Sequence, residues 1–456
     1  MATTFNFRLK PQAGPIYKQL ADYFRKEITL EHLASPAFLP SIRQLSEDLD
    51  LSRNTIAAAY NILVDESYVV NKPGSGYMIN WLHPKDTSDC GAQGQDNNKP
   101  ALPYDFSNNY IDPATFDTPI WRRCLNYVLR EPAAIKGYGD VQGELALRKA
   151  LAKYSYDARG VVTTPEQIVV GAGLQSLLAI LLPILPLKRK IVGLEAPGFP
   201  QAEQIFTNYG WQVKTFRSKM PRADWPPLLI ISPSNPYKGR ALSEAERISL
   251  TAYSELTKNY ILEDDYNGEF RYLTKPLPAL HSFGDREHII YFGSFSRSLL
   301  PSLRISYMVL PKQLLAAYKK LAKFYNQTSS TVEQLALAKY INDGHLQRHV
   351  KKLRHSYSVK NTILRQALKE TFKNRVAILD YASGMHLRLA LHYPLQSSAI
   401  RDAGLKKGVK VIPVLGSTYQ GHPIILLSFA GIAKADIAAG IKLWKKALDA
   451  EVKNVK

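Results

Sequence analysis

The sequence predicts an α/β protein built in two unequal parts, and three observations lead there. From Tyr104 onward, apolar β-prone runs alternate with helical stretches, the pattern of a mostly parallel sheet covered by helices. Residues 14–80 read differently, as short amphipathic helices followed by two β-prone runs. Between these parts, residues 83–103 (HPKDTSDCGAQGQDNNKPALP) are polar and rich in Gly, Asn, Asp and Pro, the composition of a flexible linker. The expected domains are therefore residues 1–82, a linker over 83–103, and 104–456.

In the first part, Ile16, Leu20, Tyr23, Phe24 and Ile28 recur at helical spacing and give a first helix one apolar face. Ser41-Ile-Arg-Gln-Leu-Ser-Glu-Asp-Leu predicts a short second helix entered through Pro40. Ser52 is a good N-cap for a third helix reaching Asp65, with Ile56, Tyr60 and Leu63 facing inward. The run from Tyr68 to Ile79 folds back around Pro-Gly-Ser-Gly, which predicts a small hairpin. In the second part, β-like runs are expected at Gln167–Gly171, Lys190–Leu194, Leu228–Ser232, Tyr260–Glu263 and Ile289–Gly293. Residues 312–380 read as largely helical, and 384–450 mix strands and helices, which suits a smaller α+β lobe. There is no internal repeat.

Composition narrows the function. A hydrophobic content of 45% over 456 residues supports real cores. Cys90 and Cys124 make no disulfide framework and match no metal-site spacing. No run approaches the roughly 20 apolar residues of a membrane span, and the start, MATTFNFRLK, lacks a signal peptide's apolar stretch. A cytoplasmic protein without membrane contact is expected. The net charge of +20 invites a nucleic-acid partner. Residues 1–82, however, hold eight Lys/Arg and eight acids, so the excess lies in the larger part. That part either lies against DNA as well or is simply made soluble by its charge.

Two short helices joined by Asp48-Leu-Asp-Leu-Ser have helix-turn-helix spacing, in which the second helix enters the major groove. Its first turn carries Ser52, Arg53, Asn54 and Thr55, which can reach phosphates and base edges. A plain helical bundle with a capped third helix has the same periodicity. Leu39-Pro-Ser-Ile-Arg-Gln-Leu-Ser, Leu51-Ser-Arg-Asn-Thr-Ile and Gly74-Ser-Gly-Tyr decide between them, because together they resemble the GntR family of winged helix-turn-helix regulators. The resemblance implies DNA contacts by Arg43, Arg53 and Thr55, supported by the wing at Lys72 and Gly74. The usual Gly-rich turn before Leu-Pro-Ser is replaced here by Leu33-Ala-Ser-Pro-Ala-Phe.

The larger part carries an ordered set of motifs: Tyr138-Gly-Asp-Val-Gln-Gly, Gly171-Ala-Gly-Leu-Gln-Ser, Glu195-Ala-Pro-Gly-Phe, Ser232-Pro-Ser-Asn-Pro, Leu262-Glu-Asp-Asp-Tyr and Gly293-Ser-Phe-Ser-Arg-Ser-Leu-Leu-Pro-Ser-Leu-Arg. Singly each reads as a strand-end turn. Together they resemble the aminotransferase-like, fold-type I domain of the MocR subgroup, from about Tyr104 to Leu448. The resemblance implies pyridoxal 5'-phosphate (PLP) at the C-terminal edge of the sheet. Asp264 would hold the pyridine nitrogen, Tyr266 and Asn235 the ring oxygen, and Phe199 would stack on the ring. Ser294, Ser296 and Arg304, with N–H groups near Gly173 and Gln175, would hold the phosphate.

One position departs from the pattern. The Schiff-base lysine is Arg297 here, in Ser294-Phe-Ser-Arg, and a guanidinium has no neutral amine to attack an aldehyde. The C-terminal arginine that aminotransferases present to a substrate carboxylate is missing too. Arg401 is the last arginine, and the expected strand reads Ile424-Ile-Leu-Leu-Ser-Phe. Lys238, in Asn235-Pro-Tyr-Lys-Gly, is a residue that could supply an amine instead, although nothing in the sequence places it. Three readings remain: a regulator whose pocket binds PLP or a related ligand non-covalently or not at all, a PLP sensor in which Arg297 adds a contact, and a working aminotransferase with an appended DNA-binding domain. A purely architectural DNA-binding protein would leave the cofactor-like set unexplained. The resemblance further implies a homodimer that binds double-stranded promoter DNA and responds to a small-molecule effector.

Overall fold

The computed structural model describes residues 7, 14–30, 33, 37–80, 102–107, 111–132, 136–195, 200–218, 220–235, 237, 241–265, 268–270, 277–284, 286–379 and 384–455. It divides into two compact units, residues 1–99 and 100–456. Nearly all of the expected linker lies outside the described residues.

The apolar faces expected in the first unit meet in one core. Helices α1 (Ile16–Thr29), α2 (Ile42–Leu49) and α3 (Arg53–Asp65) are followed by the antiparallel hairpin β1 (Val69–Lys72) and β2 (Gly76–Ile79). Leu20, Phe24, Ile28, Leu45, Ile56, Tyr60 and Leu63 bury together, and Val69 and Ile79 close the core from the hairpin. Ser41 and Ser52 cap α2 and α3, accepting from the N–H groups of Gln44 and Thr55. Asp50 takes the left-handed conformation that ends α2 and starts the turn.

The second unit opens with β3 (Tyr104–Asp105), α4 (Thr118–Leu129) and α5 (Leu145–Arg159). Strands and helices then alternate: β4 (Ile168–Gly171), α6 (Leu174–Leu181), β5 (Ile191–Glu195), α7 (Pro200–Asn208), β6 (Gln212–Phe216), β7 (Leu228–Ile231), α8 (Glu244–Thr257), β8 (Tyr260–Asp264), β9 (Ile289–Ser294) and β10 (Ser306–Val309). They form one seven-stranded sheet in the order β4-β10-β9-β8-β7-β5-β6, parallel except for β10. Each of the five β-like runs expected here became a strand, but two strands had no expectation. Edge strand β6, Gln212-Val-Lys-Thr-Phe, is mostly exposed and polar. Strand β10 is four residues long and follows a turn, too short for a periodicity to register.

Three helices follow, α9 (Leu315–Ala322), α10 (Thr331–Asn342) and α11 (His345–Phe372). The smaller lobe holds β11 (Val376–Ile378), β12 (His386–Leu391), α12 (Ser397–Lys406), β13 (Val409–Lys410), β14 (Ile412–Tyr419), β15 (His422–Ser428) and α13 (Asp436–Val455). Its antiparallel sheet runs β11-β12-β15-β14, and β13 pairs with β3. Alternation along β12 sends Leu387, Leu389 and Leu391 into a core with α11 and α13, leaving His386 and Arg388 on the opposite face. Helix α11 contributes Leu346 and Val350 to the large-lobe core and Leu353, Tyr357 and Leu364 to the small-lobe core.

A buried ion pair ties these layers together. Lys360 of α11, with no exposed side-chain surface, donates to Asp112 at 2.9 Å and to the Ala430 carbonyl at 2.8 Å. Asp112→Asn keeps the turn cap that Asp112 gives Ala114 but leaves a buried cation, and should cost about 3 kcal/mol in urea unfolding. Adding Lys360→Met should recover most of that loss; a double variant as unstable as the single one would contradict the pairing.

Candidate functional site

Two surfaces carry the residues singled out from the sequence, one in each unit. In the small unit, Ser52 and Thr55 satisfy each other at the start of α3. The Ser52 hydroxyl accepts from the Thr55 N–H at 3.1 Å, and the two hydroxyls lie 2.8 Å apart. Their first role is therefore to build the helix end. Arg53 and Asn54, exposed beside that cap, are free of this duty and project from the first turn. Arg43 is exposed on α2, paired at 3.2 Å with an equally exposed Glu47, a contact worth little in water. Lys72 and Gly74 are exposed on the hairpin, with Gly74 at φ +78°.

In the large unit, the C-terminal edge of the sheet collects the other set. Gly171 ends β4, Asn235 follows β7, Asp264 ends β8 and Ser294 ends β9. The antiparallel β10 begins at this same edge, with Ser306 opposite both Gly171 and Ser294. Hydroxyls cluster as a result: Ser306 donates to Ser294 at 3.0 Å, and Ser294 reaches Ser296 at 3.1 Å. Gly173 at φ +96° turns the chain into α6, and a Cβ there would sit 2.7 Å from the Arg304 guanidinium. Arg304 lies across that turn and donates to the Ala172 carbonyl at 3.0 Å. Gln175 is exposed in the first turn of α6. N–H groups, hydroxyls and a guanidinium thus converge beside one helix N-terminus, a cradle suited to a phosphate. Phe199, Tyr266 and Lys238 lie outside the described residues.

Asp264 stands at the end of β8 beside this cradle. Burial, reinforced by the Asp265 carboxylate, pushes its pKa up to about 7 against the opposing pull of Arg297. The Arg297 charge also presses on His386 of the small lobe, whose pKa burial lowers to about 3. Arg297 therefore acts on both lobes at the place where they meet. Asn235 is buried and accepts from the Tyr237 N–H at 2.9 Å. A cation placed beside Asp264, such as a protonated pyridine, would relieve its buried charge, so the residues present fit a phosphorylated pyridine ring.

Sequence reasoning missed the support behind this edge. Arg159 of α5 grips Asp265 at 2.6 Å and also donates to the carbonyls of Gly268 and Leu277. Tyr291 donates to the same carboxylate at 3.0 Å. The turn before α5 is knitted likewise: Arg148 donates to the Gly143 and Pro165 carbonyls and to Asp140. Only the acidic run itself was visible in the sequence, and nothing in it named Arg159 as the partner.

Comparison with known proteins follows the same division. Residues 107–414 match the family described as aminotransferase class I and II, and residues 16–79 match bacterial regulatory proteins, gntR family. The uncharacterized HTH-type transcriptional regulator YdeL of Bacillus subtilis (strain 168) is 33% identical over 95% of this chain and 96% of its own. The probable rhizopine catabolism regulatory protein MocR of Rhizobium meliloti is 28% identical over 95% of this chain and 94% of its own. Among solved structures, a Pyrococcus horikoshii kynurenine aminotransferase in complex with PMP superposes with a TM-score of 0.68 at 22% identity, covering 78% of this chain and 93% of that one. Among the described residues, no helix is long and apolar enough to cross a membrane.

The electrostatics of Asp264 make a signed prediction. A carboxyl whose folded pKa is raised contributes stability below its ordinary pKa near 3.8 and loses it as pH rises through about 7. Asp264→Asn removes that loss. Relative to the parent, its thermal stability should rise between pH 4 and pH 8, by about 4 kcal/mol at the upper end. A difference that does not change with pH would contradict this environment for Asp264.

Proposed function

The chain belongs to the MocR-like regulators, in which a gntR-family unit precedes an aminotransferase class I and II domain, and on that premise we propose a DNA-binding transcription regulator whose second unit senses PLP or a close relative without bonding to it covalently. The observation that carries the second half is the company Arg297 keeps. The cradle around Gly173, Ser294, Ser296 and Arg304, together with the carboxylate of Asp264, is retained, while the amine position holds a guanidinium. When bound, PLP supplies an electrophilic aldehyde and an electron-withdrawing ring. The chain's own residues would only hold it: Arg304, the serines and the α6 N-terminus the phosphate, Asp264 the ring nitrogen, with Asn235, Tyr266 and Phe199 around the ring. Arg297 is always charged and offers donors but no nucleophile, so this pocket binds rather than transforms, and transamination is impaired.

On the DNA side, Arg43, Arg53, Asn54, Thr55 and the hairpin's Lys72 and Gly74 would meet double-stranded promoter DNA, with Ser52 positioning the helix end. The protein would act in the cytoplasm as a homodimer, residues 83–103 linking a DNA-binding part (1–82) to an effector and dimerisation part (104–456). Ligand binding changes promoter affinity only if PLP prefers one arrangement of the dimer.

Adding PLP to the purified chain should give the spectrum of a bound but borohydride-insensitive chromophore, and Arg297→Lys should convert it to one that borohydride fixes to the protein. A fixable adduct in the parent protein would overturn the non-covalent reading, and no PLP binding in either protein would overturn the ligand. Separately, Arg53→Ala should weaken binding to the chain's own upstream DNA about tenfold or more, the scale of a lost base contact, with unchanged melting of the protein. Undiminished binding would remove α3 from the interface.

A further inference from the structure

Against Ser294, next to the cradle, lies a small polar cavity of about 20 Å³, room for one water-sized particle. Four elements wall it: α5 with Tyr154, the segment after β8 with Asp265 and Glu269, β9 with Tyr291 and β10 with Tyr307. The wall is closely fitted, since a Cβ at Gly293 would strike the Tyr307 ring and one at Gly268 would strike Asp265. Tyr154 donates to one oxygen of Glu269, and Tyr291 donates to Asp265 at 3.0 Å. The Tyr307 hydroxyl lies 2.8 Å from that of Ser155, whose own proton goes to the Leu151 carbonyl, so Tyr307 is the donor there. All three tyrosine protons are therefore spent, and their oxygens have only lone pairs left to offer.

Glu269 is left with an unanswered oxygen. Its Oε2 has no solvent contact and no hydrogen-bond partner. Arg159 is held by Asp265, and Arg354 donates to the Glu269 carbonyl at 2.6 Å. Neither guanidinium is an ion-pair partner of the Glu269 carboxylate. Burial pushes the pKa of this carboxyl up, the cost of an anion out of water without a counter-charge. From the cavity and this unpartnered oxygen we propose a site for a monovalent cation the size of potassium or ammonium, held by Glu269 Oε2 and the hydroxyl oxygens of Tyr154, Tyr291 and Tyr307. A divalent ion calls for more anionic ligands, and among the described residues no three His, Cys, Asp or Glu side chains converge to supply them. A single positive charge matches the single unpaired carboxylate. The ion would tie α5 to the ends of β8, β9 and β10, the edge on which the cradle is built. It requires no PLP and stands whatever the neighbouring pocket binds.

The test melts the full chain without PLP while potassium nitrate replaces tetramethylammonium nitrate at constant ionic strength, the tetramethylammonium ion being too large for the cavity. The melting temperature should rise saturably, by about 2 °C or more. Thallium(I), a potassium mimic visible by NMR, should show a bound resonance that potassium displaces. Glu269→Gln keeps an oxygen for the Tyr154 proton while deleting the charge, and should lose both the rise and the resonance. Tyr154→Phe should weaken the apparent potassium affinity about fivefold, the scale of one lost polar contact. Equal melting in the two salts, or a potassium effect that survives Glu269→Gln, would overturn the proposal. Should Glu269→Gln fail to fold, an unchanged potassium affinity in Tyr154→Phe would overturn it instead.

Discussion

Arg159 and Asp265 meet at 2.6 Å with side chains only 3% and 1% exposed, and the geometry of the pocket follows from that pair. A buried charge is tolerated only with its partner in place, so Asp265 is held toward α5 and cannot turn to the pocket. Successive residues of a strand point to opposite faces, and Asp264 is thereby sent the other way, to the edge where the cradle forms. Glu263, on the same side as Asp265, accepts the N–H groups of Leu280 and His281. Three consecutive acids thus have three separate duties, and only the middle one is available to a ligand. Burial, reinforced by the Asp265 charge beside them, leaves Glu263 and Asp264 with pKa values pushed up to about 7.

The second constraint is the antiparallel strand β10. Placed between β4 and β9, it brings the segment carrying Arg304 back to the edge where Gly173 and Ser294 already lie. Without that reversal the guanidinium and the serines would sit at opposite ends of the sheet. Arg297, three residues past Ser294, bears on what this edge would offer a ligand and not on how the edge is built. An amine can form a bond to an aldehyde, whereas a guanidinium contributes charge and hydrogen bonds.

Much of this was legible in the sequence where local chemistry decides the outcome. Ser52 reads as a cap because a serine before an amphipathic run satisfies an orphan N–H, and it does so. The parallel strands read as apolar runs because both of their faces are buried. Strand β6 did not, since an edge strand with Gln212, Lys214 and Thr215 outward lacks such a run. The grip of Arg159 on Asp265 was illegible for a different reason: it joins residues 106 apart in the sequence, and such a pairing is a property of the folded chain. The +20 charge belongs to the same class: its confinement to residues 83–456 can be counted, but its arrangement cannot.

Helix α11 runs 28 residues without a glycine or proline, a rod of about 42 Å. One end is embedded in the large-lobe core and the rest in the small-lobe core. A rod clamped at both ends does not bend where it stands. A change in the angle between the lobes must then be absorbed as shear, by side chains of neighbouring layers sliding past the helix. Such sliding is limited to small steps, because packed side chains exchange one interlocked arrangement for another. A signal crossing this protein would travel as a discrete click in packing rather than as a smooth swing.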